Sequence, residues 1–75
     1  MEDVPVREGR ITLGQLLKLA GTVDRGSDVR PFLQAGGVTV NGMHEDRRGR
    51  KLVAGDVVVA PGAEPMRVIV EAPGT

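Results

Sequence analysis

Residues 41–51 read NGMHEDRRGRK and set the local fold at the middle of this 75-residue chain. Asn41 and Gly42 stand between the apolar residues Val40 and Met43. A two-residue type I′ turn needs positive φ at both central positions, which Asn and Gly adopt more readily than other residues. The stretch therefore predicts a β-hairpin in which Val40 lies opposite Met43.

Four cations follow this hairpin within five residues, and they are Arg47, Arg48, Arg50 and Lys51. The run has no apolar alternation, so these side chains must lie in solvent or against an anion. Three interpretations are open: a solvated loop, a surface matched by acids such as Glu45 and Asp46, or a phosphate-binding element with close backbone approach at Gly49. We favour the third, because flanking helices would bring three more cations to the hairpin. These are Lys18, Arg25 and Arg30.

The charges of the whole chain are segregated along the sequence. Ten Lys and Arg balance ten Asp and Glu, so the formal net charge is zero. Residues 10–51 hold eight cations and four acids, a net +4, whereas residues 1–9 and residues 52–75 each hold one cation and three acids, a net −2. A neutral chain can thus present a basic face, and this asymmetry favours a polyanionic partner.

The first helix is predicted to begin after Thr12. Thr12 and Gln15 fit a capping box, in which each side chain bonds the backbone amide of the other residue. Apolar residues recur at helical spacing and form one buried stripe, which consists of Leu13, Leu16, Leu17 and Ala20. Gly21 suits the end of the helix. Gln15 and Lys18 fall on the other face, either as solvated residues or as ligand contacts.

The second helix is predicted to begin at Ser27 or Asp28, with Ser27 as the favoured cap. A start at Asp24 would leave Pro31 in the helix interior, where a proline costs about 3 kcal/mol. Its buried face is predicted to consist of Phe32, Leu33 and Ala35. Gly36 and Gly37 then end the helix before a strand at residues 38–40.

Two further strands are predicted at residues 57–60 and 66–70, with a turn between them. The residues expected in the sheet core are Leu52, Val57, Val59, Val68 and Val70. The fold class is α+β, with two N-terminal helices packed on a small, mostly antiparallel sheet of about three to five short strands. We expect one domain over residues 10–71, a flexible segment over residues 1–9 and a frayed end over residues 72–75.

Size and composition argue against several functional classes. A chain of 75 residues is too short to bury a large core and a deep catalytic cleft together, so we expect no enzyme and no small-molecule substrate. The chain has no Cys, and we expect neither a metal nor a cofactor. No apolar run approaches the ~18 residues of a membrane span, and residues 1–9 lack the apolar part of a secretory signal. We therefore expect a cytoplasmic protein without a membrane partner.

The acid–base candidates in the chain are sequence neighbours without a recognised motif. They are His44 with Glu45 and Ser27 with Asp28. His44 would lie opposite Thr39 in the hairpin, and we interpret it as an exposed cross-strand residue rather than a catalytic base.

Taken together, these motifs resemble the RNA-binding domain family named after ribosomal protein four of the small subunit, the S-four-like domain or alpha-L motif. The matching positions are Thr12-Leu13, Leu17, Gly21, Arg30, Phe32-Leu33, Gly36, Val38, Val40-Asn41-Gly42 and Gly55-Asp56-Val57. Residues 15–21 and 47–52 are similar, more narrowly, to small stand-alone bacterial members. The resemblance covers the chain from about Ile11 to Val59.

This resemblance implies binding of structured RNA, such as ribosomal or transfer RNA, by the helices and the basic hairpin. Charge alone would also permit duplex DNA. The contacts carried over first are Lys18, Arg30, Arg47, Arg48, Arg50 and Lys51. A second rank consists of Arg25, Ser27, Gln15 and Asn41, of which Asn41 is favoured as a turn former.

The recognition chemistry favours phosphate contacts over base stacking. Phe32 is the only aromatic residue, whereas proteins that read unpaired bases stack them on exposed rings. Arg can bond phosphate oxygens through two parallel N–H groups, and Lys adds point charge. An alternative is a protein-interaction module, in which an apolar patch between the helices binds a partner and the basic run only confers solubility. That patch would consist of Leu19, Val23 and Val29.

Overall fold

Two helices pack with a five-stranded sheet in the structure, a computed structural model that describes residues 1–72. The helices are α1 (Leu13–Leu19) and α2 (Gly26–Gln34). The strands are β1 (Glu2–Val6), β2 (Arg10–Thr12), β3 (Thr39–Val40), β4 (Met43–His44), β5 (Lys51–Val53), β6 (Val57–Val59) and β7 (Met66–Val70). A single 3-10 turn, Arg7–Gly9, links β1 to β2. The predicted α+β class is confirmed.

The larger sheet has the strand order β1-β7-β6-β3-β4. Its β1–β7 pair is parallel and its other pairs are antiparallel. β2 and β5 form a separate antiparallel pair beside it, with Thr12 opposite Lys51. The sheets are therefore mostly antiparallel, as predicted.

The hairpin between β3 and β4 has the predicted register. Asn41 and Gly42 have φ values of 52° and 84°, and Val40 lies opposite Met43. The side chain of Val40 is buried in the core, whereas Met43 is exposed because β4 is a two-residue strand at the sheet edge. His44 is exposed as well, which agrees with its interpretation as a cross-strand surface residue.

The capping box at the start of α1 is confirmed. The amide of Gln15 donates to Thr12 Oγ1 at 3.3 Å, and the amide of Thr12 donates to Gln15 Oε1 at 3.1 Å. The leucine stripe of α1 is fully buried, and it consists of Leu13, Leu16 and Leu17. Capping and burial together hold a helix of only seven residues, which would not be stable alone.

The start of α2 differs from the prediction. α2 begins at Gly26, and its N-cap residue Arg25 makes no side-chain capping bond. The predicted start at Ser27 or Asp28, with Ser27 as the cap, is therefore wrong, because the extended backbone of Arg25 already turns the chain into the helix. Pro31 consequently lies inside α2 and has no N–H to donate to the carbonyl of Ser27. Both residues are exposed, so water can satisfy that carbonyl.

Residues 1–9 do not behave as the predicted flexible segment. β1 pairs in parallel with β7, and its side chains Val4 and Val6 are only 6% and 4% exposed. The folded unit thus begins before residue 10. The sequence carries no local signal for this pairing, because the partner strand lies about sixty residues away and charged residues flank the two valines. Apart from Ala72, the predicted frayed end lies outside the described residues.

One core joins the helices to the larger sheet, but the face of β6 was predicted wrongly. Val58 is buried, whereas Val57 is half-buried and Val59 is 39% exposed. Three successive valines show no alternation, so the sequence cannot indicate which face is buried. In β7 the core residues are Met66 and Val68, and Val70 is exposed.

The apolar patch of the alternative function does not exist as such. Val23 and Val29 are buried in the core where α1 and α2 pack together, so only Leu19 of the three is exposed. The apolar surface on which the interaction-module hypothesis depends is therefore reduced to Leu19. Within residues 1–72, neither helix has the length and apolar character needed to cross a membrane.

Candidate nucleic-acid interface

Residues 45–51, called here the basic loop, are anchored on the first turn of α1. The amide of Leu13 donates to the carbonyl of Arg50 at 2.8 Å, and the amide of Gly14 donates to the carbonyl of Arg48 at 2.9 Å. The first N–H groups of a helix have no partner within it, so the loop satisfies two of them. A Cβ at Gly14 would lie 3.3 Å from the Cβ and carbonyl oxygen of Arg48, which is a tight contact, so glycine lets the loop come this close to α1 without a shift.

A buried carboxylate accepts hydrogen bonds from two arginines of the basic loop. Glu45 is only 6% exposed, and its Oε2 accepts hydrogen bonds from the amide and Nε of Arg47 at 3.1 and 3.0 Å. Its Oε1 accepts from Nη2 of Arg47 at 3.2 Å and from Nη1 of Arg50 at 2.9 Å. The basic loop is thus a folded element held by one acid, not a disordered charge run.

The two guanidinium groups keep Glu45 ionised despite its burial. Hydrogen bonding from the Arg47 side chain is the largest cause, and it lowers the pKa of Glu45 to about 2 against the opposing effect of burial. The same contact raises the pKa of Arg47. The sequence left three interpretations of the cations at residues 47–51: a solvated loop, pairing with nearby acids, or phosphate binding. Pairing with an acid, Glu45, is what the structure shows for Arg47 and Arg50.

Most of the remaining cations have no acidic partner. Arg10 pairs with Glu8, and Arg67 pairs with Asp3. Six of the ten Lys and Arg residues have no Asp or Glu oxygen within 4.0 Å among residues 1–72, and they are Arg7, Lys18, Arg25, Arg30, Arg48 and Lys51. Five of these six belong to the predicted contact set, and all five are exposed. Their charge is available to an anion.

The basic loop and α2 meet in a cleft of about 280 Å³. Arg30 from α2 lies on one side of it, and Arg47 and Arg48 lie on the other. Gly49 and Asp46 complete the loop side of the cleft. Three predicted contact residues, separated by up to eighteen positions in sequence, thus surround one space that a phosphate group can enter.

The other predicted contacts do not line this cleft. Gln15 and Lys51 line a second cleft of about 370 Å³ between α1 and the β2–β5 pair, together with Arg10, which the sequence interpretation did not single out. Lys18 lies against the start of α2, with its Nζ 3.9 Å from where a Cβ at Gly26 would be. Arg25 and Ser27 flank that glycine and are exposed.

Asn41 serves the fold through its side chain. Its Nδ2 donates to Oδ1 of Asp56 at 3.0 Å, and its Oδ1 accepts from the amide of Val57 at 2.9 Å. The other oxygen of Asp56, Oδ2, accepts from the amide of Val53 at 2.9 Å. These bonds tie the Val-Asn-Gly turn to the Gly-Asp turn, which explains why both motifs occur together in this chain.

The part of the chain that the structure describes offers few aromatic rings on which a base could stack. Phe32 is half-buried against the core, and the exposed His44 lies 3.9 Å from Asp46. Among residues 1–72, no group of three or more His, Cys, Asp or Glu is placed to hold a metal ion. The groups that the surface offers to a ligand are therefore mainly guanidinium, ammonium and amide N–H donors.

Comparison with known proteins adds two findings. A family model described as "S4 domain" matches residues 4–69, a span that includes most of β1 and β7 as well as the region of the sequence resemblance. The chain is also 46% identical over 59 residues to a Bacillus subtilis (strain 168) protein named "Probable ribosome maturation protein RlbA". That alignment covers 79% of this chain and 83% of the Bacillus protein.

Proposed function

Because the chain belongs to the S4 domain family, which is the S-four-like family of the sequence resemblance, we propose that it binds structured RNA and acts in ribosome maturation. The name of the Bacillus relative supports the ribosomal part of the proposal. Ribosomal RNA is then the natural ligand, and transfer RNA is the other structured RNA to test. This role belongs in the bacterial cytoplasm and requires binding rather than catalysis.

The observation that carries the proposal is the set of unpaired cations around the basic loop. A surface arginine without an acid partner can bond phosphate without first breaking an ion pair. Arg30 and Arg48 supply two-pronged guanidinium donors at the cleft, and Lys51 supplies a point charge in the second cleft. Because the sequence has no Tyr or Trp and Phe32 is half-buried against the core, this surface suits the backbone and shape of folded RNA rather than its unpaired bases.

The test is charge reversal in the cleft. The double variant Arg30→Glu/Arg48→Glu should bind a ribosomal RNA fragment at least tenfold more weakly, because it replaces two phosphate donors with two repelling acids. Each lost phosphate contact should also flatten the slope of log K against log salt by about 0.7 to 0.9. Binding is measured by fluorescence anisotropy at several salt concentrations.

Arg7→Glu is the matched control for each of the single variants Arg30→Glu and Arg48→Glu, because all three make the same change of charge. Arg7 is also exposed and has no acidic partner among residues 1–72, but it lies in the 3-10 turn between β1 and β2. Its reversal should change affinity much less than reversal in the cleft. Equal losses in Arg7→Glu and in the single cleft variants would mean that only net charge matters, and unchanged binding by the folded double variant would rule out the cleft as the site.

A further inference from the structure

Glu45 is the one charged residue among residues 1–72 whose side chain is buried, and it lies within the most basic part of the chain. An acid at this position repels RNA phosphates and lowers the local positive charge. Electrostatics alone would therefore place a neutral residue here. The geometry of its contacts indicates what the acid contributes.

Glu45 uses only the inner edges of the two guanidinium groups. Two arginines present ten N–H donors, of which Glu45 takes three: Nε and Nη2 of Arg47 and Nη1 of Arg50. Seven donors remain for a ligand. The Arg47 side chain is 73% exposed, so its outer edge stays open to solvent beside the cleft that it shares with Arg30.

We propose that Glu45 is a positioning residue for RNA binding, which presets Arg47 and Arg50 so that their free N–H edges face the phosphates of the RNA. This inference rests on the proposed function. A free arginine side chain samples many rotamers, and binding must pay to order it. Here the fold has already ordered both side chains through one carboxylate. Arg48 has no such contact within residues 1–72, so its side chain is ordered only when it bonds phosphate.

This mechanism and simple electrostatics predict opposite effects for the same substitution. Glu45→Gln removes a negative charge, so electrostatics alone predicts tighter RNA binding. Positioning by Glu45 predicts weaker binding instead, because Arg47 and Arg50 would then have to be ordered when RNA binds. For two side chains this costs about tenfold in affinity. Asp46→Asn is the matched control. It makes the same charge change one residue away, at an exposed acid that makes no hydrogen bond to either arginine.

The experiment compares RNA affinity and salt slope for wild type, Glu45→Gln, Glu45→Asp and Asp46→Asn. We expect Glu45→Gln to bind about tenfold more weakly, whereas Asp46→Asn should bind more tightly than wild type, because it removes an acid from the lining of the cleft. Glu45→Asp keeps the charge but is one methylene too short to reach both arginines, so it should also weaken binding. Far-UV circular dichroism establishes whether each variant is folded. If Glu45→Gln is unfolded, the RNA affinity of Glu45→Asp tests the proposal instead.

A spectroscopic signature separates positioning from general stability. The Nε–H proton of Arg47 should give a slowly exchanging NMR signal in wild type and in Asp46→Asn, and that signal should be lost in the Glu45 variants. Folded Glu45 variants that bind RNA as tightly as wild type would overturn this inference while leaving RNA binding intact. A wild-type protein that fails to bind structured RNA would instead overturn the proposed function itself.

Discussion

At the scale of single residues, two side chains link the fold to the interface. Asn41 ties the hairpin turn to the turn before β6, and Glu45 fixes the arginines of the basic loop. Neither residue has to touch RNA to matter for binding. Mutations at both positions would therefore alter the surface indirectly, through the backbone or through the arginines.

Acid should weaken the fold through Glu45. Its pKa is about 2 in the folded protein and near 4.5 in the unfolded chain, so the unfolded state binds the proton more readily. The stabilisation that Glu45 contributes is fully present above about pH 5 and is lost as the pH falls toward about 2. The melting temperatures of wild type and Glu45→Gln should consequently differ at pH 7 and converge only as the pH falls to about 2. A gap that stays constant with pH would contradict this assignment.

The roles of Asn41 and Glu45 differ in how far the sequence can predict them. Asn41 was predicted as a turn former, because the positive φ of a tight turn is a local requirement that Asn and Gly satisfy. The burial of Glu45 was not predicted. An acid among arginines resembles an ordinary surface acid, and its burial depends on how the backbone of the whole loop settles on α1.

At the scale of elements, the interface depends on short segments that support one another. The basic loop satisfies two amides of α1, and the capping box satisfies another at the same end. β1 completes the larger sheet by covering the edge of β7. None of these elements is long enough to be stable alone, so their mutual contacts determine whether the arginines are held in place.

Disruption of β1 should destabilise the entire domain. Val4→Asp would bury a carboxylate without a partner, and we expect it to lower the free energy of unfolding by more than about 2 kcal/mol. Pro5→Asp is the control, because it adds the same charge on the exposed face of the same strand. Urea denaturation measures both variants. Equal, small losses would mean that residues 2–6 are not part of the folded unit.

The elements that sequence could predict are those with local signals. The capping box and leucine spacing predicted α1, and the Asn-Gly pair predicted the β3–β4 register. β1 and the β2–β5 pair were missed because their pairing depends on distant partners. The start of α2 was misplaced because the sequence offered side-chain caps, whereas the chain enters the helix through the backbone of Arg25 alone.

At the scale of the whole molecule, the charge segregation of the sequence becomes a polarity of the fold. β1 and β7, from the two acidic ends, pair at one edge of the larger sheet. The hairpin that leads into the basic loop lies at the opposite edge. A chain with no net charge can therefore hold its basic loop apart from its acidic ends.

The most direct test of RNA binding by this surface is ultraviolet crosslinking in cells, followed by identification of both the RNA and the crosslinked peptides. Digestion after glutamate would release residues 46–64 as one peptide that contains most of the basic loop. We predict that ribosomal RNA is recovered and that the crosslinks lie in this peptide and in α2. Crosslinks confined to β1 and β7, or recovery of no structured RNA, would contradict the proposed role.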